Sequence, residues 1–351
     1  MNSKLKKLAG TLYSGCAPLA AKENSLPDGN FRFFSYGRHA LLEALALSGV
    51  GKGDTVLIPE YICRETLAPV HALGARIGYY PVNEALELSA RPDNLPEARA
   101  IIAVNYFGFP QNLSPFEAYC KRTGAALIED NAHGFLSRDE QGGLLGTRGD
   151  IGIFSFRKSI PLINGSGMLI NRPWKFGELP PQLPFSDHPE PRVFRAKKIL
   201  RQLPACSMTF LLYGLISLDR KIRALRTGSE FVISGEEAER EMPENPEPDP
   251  RLADSLQSLD VECEISRRRA LYAGIEEAVS RQGGIPVFPE LLGHVVPYGF
   301  AFRAPRDSME GIKKILKRHY IDCHAWPELP TGIGTGKSGF YESVQLVNFI
   351  W

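Results

Sequence analysis

The chain has 351 residues, enough for one large domain and one small one. Its 43% hydrophobic and 23% charged residues are ordinary for a soluble globular protein, and a net charge of +1 gives no reason to expect a nucleic-acid or anionic-membrane partner. The scattered cysteines, Cys16, Cys63, Cys120, Cys206, Cys263 and Cys323, form no CxxC pair, so their spacing fits neither a zinc site nor a disulfide scaffold and points to a reducing cytosol.

The N-terminal MNSKLKKLAGTLYSGC carries three early lysines, a semi-apolar run and Ser14-Gly15-Cys16, a faint lipoprotein-signal pattern. The run is too short and polar for export, and Tyr13 is bulky where such signals prefer a small aliphatic residue. After the aromatic run FRFFSY, Gly37 opens a helix in which Leu41, Leu42, Ala44 and Leu45 share one face and Gly49 is the stop. TVLIP is a strand halted by Pro59, and ETLAPVHALG a helix that Pro69 would kink. ARIGYYPV and AIIAVNYFG are strands. The next helix takes Ser114 as N-cap and Pro115 as its first residue, and Gly124 ends it. AALIED and IGIFSF complete the series.

Strands alternating with helices imply an α/β fold, a mostly parallel sheet covered by helices, with ligands at the carboxyl ends of the strands. Asp130, Tyr61 and Ser155 fall just past such ends. Residues 1–172 form the large domain. Across 173–250 the pattern breaks. RVFRAKKILRQL reads as a basic amphipathic helix, SMTFLLYGLISL as a buried or dimer-facing helix too short to span a bilayer, and GEEAEREMPENPEPDP as an exposed acidic linker. Residues 251–351 make a small α+β domain that begins with one long helix, RLADSLQSLDVECEISRRRALYAGIEEAV. Near the end, TGIGTGKSG imitates a phosphate loop. Thr331 replaces its first glycine and no strand leads into it, so it reads as a glycine loop.

The chemistry concentrates in Ile151 to Leu169, IGIFSFRKSIPLINGSGML. A strand runs into Ser155, Arg157 and Lys158, and a loop closed by Gly165 and Gly167 follows. An amine able to form an imine, beside a hydroxyl and a guanidinium able to hold phosphate, makes a receptor for a phosphorylated aldehyde. Taken alone, the same residues describe a solvated loop.

YGRHALLEAL, GVGKGDTVLIPEY, GARIGYYPV, AIIAVNYFGFP, ALIEDNAHGF, GDIGIFSF and NGSGML, in that order, resemble the DegT/DnrJ/StrS family of nucleotide-sugar aminotransferases. The resemblance covers the first 172 residues and is only general over the last hundred. It implies the fold-type I architecture of enzymes that use pyridoxal 5′-phosphate (PLP). By the resemblance Asp130 faces the pyridine nitrogen, where an anion keeps the ring an electron acceptor. The bland reading is a turn-capping Asp. His133 matches a Gln or His near the cofactor hydroxyl, or is simply a packed histidine. Gly37, Arg38 and His39 match a Ser-Gly-Thr turn whose helix start binds the phosphate, with Arg38 in place of a hydroxyl. Ser155 matches a phosphate-binding serine. Tyr61 or Cys63 stands where the family stacks an aromatic on the ring, and simple alignment selects Cys63.

The departure from the family concerns the lysine. It belongs five positions after the serine, where this chain has Ile160, and the nearby amine is Lys158. Either the loop is shifted by two residues and Lys158 serves, or the lysine is lost. The resemblance further implies a cytoplasmic homodimer in surface-polysaccharide or amino-sugar biosynthesis. Its small-molecule substrates would be an amino donor such as glutamate and a keto-sugar nucleotide. The alternatives are a PLP-dependent sugar dehydratase and a non-catalytic relative that binds a sugar nucleotide or a partner. No metal and no transmembrane segment are expected.

Overall fold

A computed structural model describes every residue except 1, 21–23, 25–28, 202–204, 228–233, 334–338, 350 and 351. A seven-stranded sheet organises it. From edge to edge run β1 (Phe31–Phe34), β7 (Ser166–Ile170), β6 (Ile151–Phe154), β5 (Ala126–Asp130), β4 (Ala100–Val104), β2 (Thr55–Pro59) and β3 (Arg76–Tyr80). Strands β2 to β6 are mutually parallel, β7 runs against β6, and β1 against β7. The expected α/β class is what the chain adopts. Strand β4, AIIAV, is buried at every position, as an unbroken apolar run must be when helices cover both faces of a parallel sheet.

FRFF is itself the edge strand β1, and Gly167 lies in β7 rather than in a closing loop. The two facts have one cause. The Phe31 ring packs where a Cβ on Gly167 would stand, 2.2 Å from its nearest carbon, so only glycine lets the edge strand settle. Helix α2 (Gly37–Leu47) begins where expected. In ETLAPVHALG a 3-10 turn, Arg64–Leu67, precedes the short α3 (Ala68–Ala72), and Pro69 sits in its first turn, where a missing N–H costs nothing, so it starts this helix instead of kinking it. In α4 (Ser114–Thr123) Ser114 is already helical. Its N–H donates to Asn112 Oδ1, and Gly124, at φ 75°, ends the helix.

Beyond β7 come α5 (Arg192–Arg201) and α6 (Ala205–Thr227). The side chains of 207–212, half of the expected buried or dimer-facing helix, lie outside the described residues. Ile216 is enclosed and Tyr213 packs on Tyr320, whereas Leu215, Leu218, Ile222 and Leu225 are exposed. Among the described residues no helix is long and apolar enough to cross a membrane. The acidic segment 235–250 is not a free linker. It crosses the start of α2 as a strap: the Pro246 carbonyl accepts from Ser35 N–H, and Pro248 and Asp249 are buried.

The expected single long helix is two, α7 (Arg251–Gln257) and α8 (Val261–Ser280). Asp260 caps α8 by accepting from Cys263 N–H at 2.9 Å. The N-terminal stretch forms helix α1 (Asn2–Tyr13), which buries Leu5, Leu8 and Leu12. Its Leu8 lies against Gly274 of α8, so close that a Cβ there would clash at 2.5 Å. Cys16 and Cys263 are joined by a disulfide, a correction to the reading that the cysteine spacing points to a reducing cytosol. A spacing of 247 residues gives no local signal of such a pair. A second, antiparallel sheet has the order β10 (His324–Ala325), β11 (Gln345–Asn348), β9 (Gly299–Arg303), β8 (Ile285–Pro286), with α9 (Arg306–Arg318) and the short α10 (Gly339–Ser343) beside it in sequence. The central part of TGIGTGKSG, 334–338, lies outside the described residues.

Candidate active site

The register of the large sheet sets the site. Asp130, the last residue of β5, pairs with Val104 on one side and Ile153 on the other, so Asp130 and Ser155 emerge from neighbouring strands at the same edge. Asp130 Oδ1 accepts from Ala132 N–H at 3.0 Å. Beneath it a buried network holds this edge rigid. Arg148 donates to Glu129 Oε1 through Nε at 2.9 Å and its terminal nitrogen at 2.6 Å, and Asn105 Nδ2 donates to the same oxygen at 2.8 Å. Asn105 Nδ2 also donates to Asn131 Oδ1 at 3.1 Å, fixing the loop after β5.

After Ser155 the chain makes a single 3-10 turn, Phe156–Lys158. Lys158 N–H donates to the Ser155 carbonyl at 3.0 Å. This tight turn sets the course of the chain at Lys158. It directs Lys158 into a cleft lined by Gly37, Arg38, Cys63, Glu65, Asp130, Ser155 and Arg157, while Ile160 is buried with Phe31, Phe33, Phe156 and Leu252. Ile160 therefore does not fill the place of the amine. Lys158, Cys63 and Asp130 also line an adjoining chamber with His133 and Trp326.

Most of the expected residues converge: Gly37, Arg38, Cys63, Asp130, Ser155 and Lys158 share one cleft, and His133 touches it through Lys158. Two do not. Tyr61 is wholly buried, donates its hydroxyl to the Trp326 carbonyl, and packs on Tyr106 and Tyr341, so it is core. His39 turns away from the cleft, with Nδ1 at 2.9 Å from Ser35 Oγ and Nε2 at 2.8 Å from the Pro243 carbonyl of the strap. Helical geometry explains this: two residues past Gly37, a side chain points to a different face. Reading by strand ends missed Glu65, which lies two residues beyond Cys63, and Trp326, which comes from the far end of the chain. For Trp326 no local signal exists.

Electrostatics give the cleft its character. Burial lowers the Lys158 pKa and Arg157 adds to this, while Cys63, Asp130 and Glu65 oppose it. Burial raises the pKa of Asp130, against the pull of Lys158 and the Ala132 N–H. Burial would also raise Glu65, but a bond from Ser234 and the charges of Arg38, Arg157 and Lys158 hold it below the ordinary carboxylate value. Burial, with the Glu65 charge, pushes the Cys63 thiol up to about 11.

The cleft has the features that a phosphorylated pyridoxal requires. No side chain caps the start of α2, and a Cβ on Gly37 would meet only Ser155 Cβ, at 4.0 Å; His39 and Ala40 N–H donate to the Tyr36 carbonyl, and the Gly37 and Arg38 N–H groups ahead of them are placed to meet an anion. The buried Arg157 Nε has no hydrogen-bond partner among the described residues. An amine, a carboxylate and an anion-seeking helix start are the donor set for such a group.

Comparison with known proteins agrees. The profile of the DegT/DnrJ/EryC1/StrS aminotransferase family matches residues 33–172. Protein MosB of Rhizobium meliloti is 34% identical over 139 residues, which are 38% of this chain and only 27% of that protein. In fold the chain is similar to a DegT DnrJ EryC1 StrS aminotransferase from Brucella abortus, with TM-score 0.59 and 17% identity over 91% of this chain and 80% of that one. It is likewise similar to the aminotransferase TlmJ from Streptoalloteichus hindustanus, with TM-score 0.59 and 18% identity over 99% and 84%. A third is E coli GDP-4-keto-6-deoxy-D-mannose-3-dehydratase with bound hydrated PLP, with TM-score 0.57 and 16% identity over 99% and 88%. At such identities the structures establish the fold, the PLP fold-type I architecture, and residues 33–172, which carry the cleft and most of the sheet, are the part that matches the DegT/DnrJ/EryC1/StrS aminotransferase family.

Proposed function

We propose that the chain is a PLP-dependent aminotransferase that moves an amino group from an amino acid, glutamate by expectation, to a keto-sugar nucleotide in surface-polysaccharide or amino-sugar biosynthesis. The observation that carries this reading is the amine of Lys158 lining one cleft with Asp130 and Ser155, with Ile160 packed away from it. The uncapped start of α2 at Gly37, with Arg38 and Ser155, binds the phosphate, and Asp130 pairs with the pyridine nitrogen. PLP, when bound, supplies the electron sink that makes the donor's carbon acidic. Lys158 Nζ takes and returns the proton, which its lowered pKa favours.

Sugar dehydration is the second reading, favoured by a dehydratase fold almost as similar as the aminotransferases. The division into a PLP-binding part (1–172), a helical insertion (173–250) and a small domain (251–351) belongs to the same proposal. So do a cytoplasmic location and a homodimer, for which the exposed leucines of α6 offer apolar surface. Purified protein should be yellow, and glutamate alone should bleach it while releasing one 2-oxoglutarate per site. A yellow protein that keeps its colour with every amino acid would shift the reading away from transamination. A protein that binds no PLP at all would favour the non-catalytic relative.

A further inference from the structure

Lys158 Nζ lies 3.1 Å from His133 Nε2, and the other face of that imidazole is already committed. The backbone N–H of Phe107 donates to His133 Nδ1 at 3.3 Å, so Nδ1 is an acceptor and carries no hydrogen. A neutral imidazole has one ring hydrogen, which must then sit on Nε2, facing the lysine. An ammonium has no lone pair to accept it. The ring cannot rotate out of this arrangement easily. It is stacked on Tyr298 at 4.4 Å with planes 8° apart and on Phe107 at 5.8 Å, and Trp326 closes its edge.

We infer that His133 is a positioning residue that donates Nε2–H to the lone pair of Lys158 and so stores that amine as the free base. The groups facing Lys158 divide. Asp130 at the end of β5, Glu65 in the turn after β2 and the Cys63 sulfur favour the ammonium, and Arg157 on its own turn opposes it. Tyr298, Trp326 and Phe107 around the ring carry no charge at neutral pH. Burial lowers the Lys158 pKa first, and the Nε2–H of the histidine, which only a free amine can accept, adds to it. Burial keeps His133 itself from becoming an imidazolium, and the Phe107 N–H would clash with one.

The chemical use of a stored free base rests on the PLP reading, but the pairing does not, and the test needs no cofactor. Competitive acetylation of the apo-protein across a pH series, with peptide mapping, reads the pKa of each amine. Lys158 should react like an amine at least tenfold more deprotonated near neutral pH than exposed Lys52. His133→Phe keeps the stacking and removes the donor, and should cut that reactivity several-fold at neutral pH. His133→Gln, whose amide donates, should restore it. Imidazole nitrogen NMR of the unmutated protein should show His133 protonated on Nε2 only. A hydrogen on Nδ1, or a Lys158 profile identical in wild type and His133→Phe, would overturn the inference. A depressed Lys158 with no capacity to bind PLP would keep the pairing and sink the proposed function instead.

Discussion

Asp130 shows how one residue can be legible in a sequence for the right reason while its environment is not. Its place after AALIE at a strand's end was enough to put it at the sheet's ligand edge. Its burial, and the Ala132 N–H on Oδ1, came only with the folded loop. Since burial already disfavours the charge, Asp130→Asn should alter stability by no more than about 1 kcal/mol, the amide oxygen still accepting from Ala132. Turnover should fall on the order of 100-fold or more, because a neutral amide cannot stabilise charge on the bound ring. Thermal melts and single-turnover spectra measure the two effects, and undiminished turnover would remove Asp130 from the site. Strand-end and helix-start logic places a backbone but not the direction of a side chain: Tyr61 lies in the core, and the His39 ring faces the strap. For Lys158 the direction came from the 3-10 turn, which brings it to the lining of the cleft.

At the scale of elements, what escaped the sequence was mostly partnership over long separations. FRFF finds its strand partner more than a hundred residues later, in β7. The acidic segment 235–250 looks soluble because it is rich in charge and proline, yet its carbonyls are spent on Ser35, Arg38 and His39. Helix α8 likewise presents RRRAL as a charged face, whereas Arg267 and Arg268 are buried around Glu264. Arg268 also donates to the Ser159 carbonyl at 2.9 Å, which ties α8 to the turn that carries Lys158. Burial would raise the Glu264 pKa, but the two guanidinium groups hold it at about 2. A depressed carboxylate contributes stability above its unfolded pKa of about 4.3 and loses it as pH falls through the folded value. Stability should therefore drop between about pH 5 and pH 2. Glu264→Gln should flatten that part of the curve and cost about 3–5 kcal/mol at neutral pH, since two buried cations lose their counter-ion. Urea unfolding at a series of pH values checks it, and an unchanged acid limb would show that Glu264 is not responsible.

Across the whole molecule, the disulfide is the connection that ties the N-terminal helix to α8. Cys16 follows α1, and Cys263 opens α8, against which α1 packs. Because it closes a loop over a sequence separation of 247 residues, the bond should contribute about 2–4 kcal/mol of stability when oxidised. Cys263→Ser should lower the melting temperature in the absence of reductant and match the wild type in its presence. Equal melting under both conditions would show that the thiols are not joined in solution. The α/β class was readable because strand, helix and turn signals repeat locally. The pairing of Cys16 with Cys263 and the arrival of Trp326 beside His133 were not, because each joins residues that only the complete fold brings near.

The proposed activity depends on one amine. Borohydride reduction of the PLP-treated protein, followed by proteolysis and peptide mapping, asks where the cofactor carbonyl is held. The folded turn predicts a pyridoxyl group on Lys158, with none on the lysine-free segment around Ile160 and none at all in Lys158→Ala, whose melting temperature should change little. Labelling at another lysine, or no labelling with PLP in excess, would contradict it.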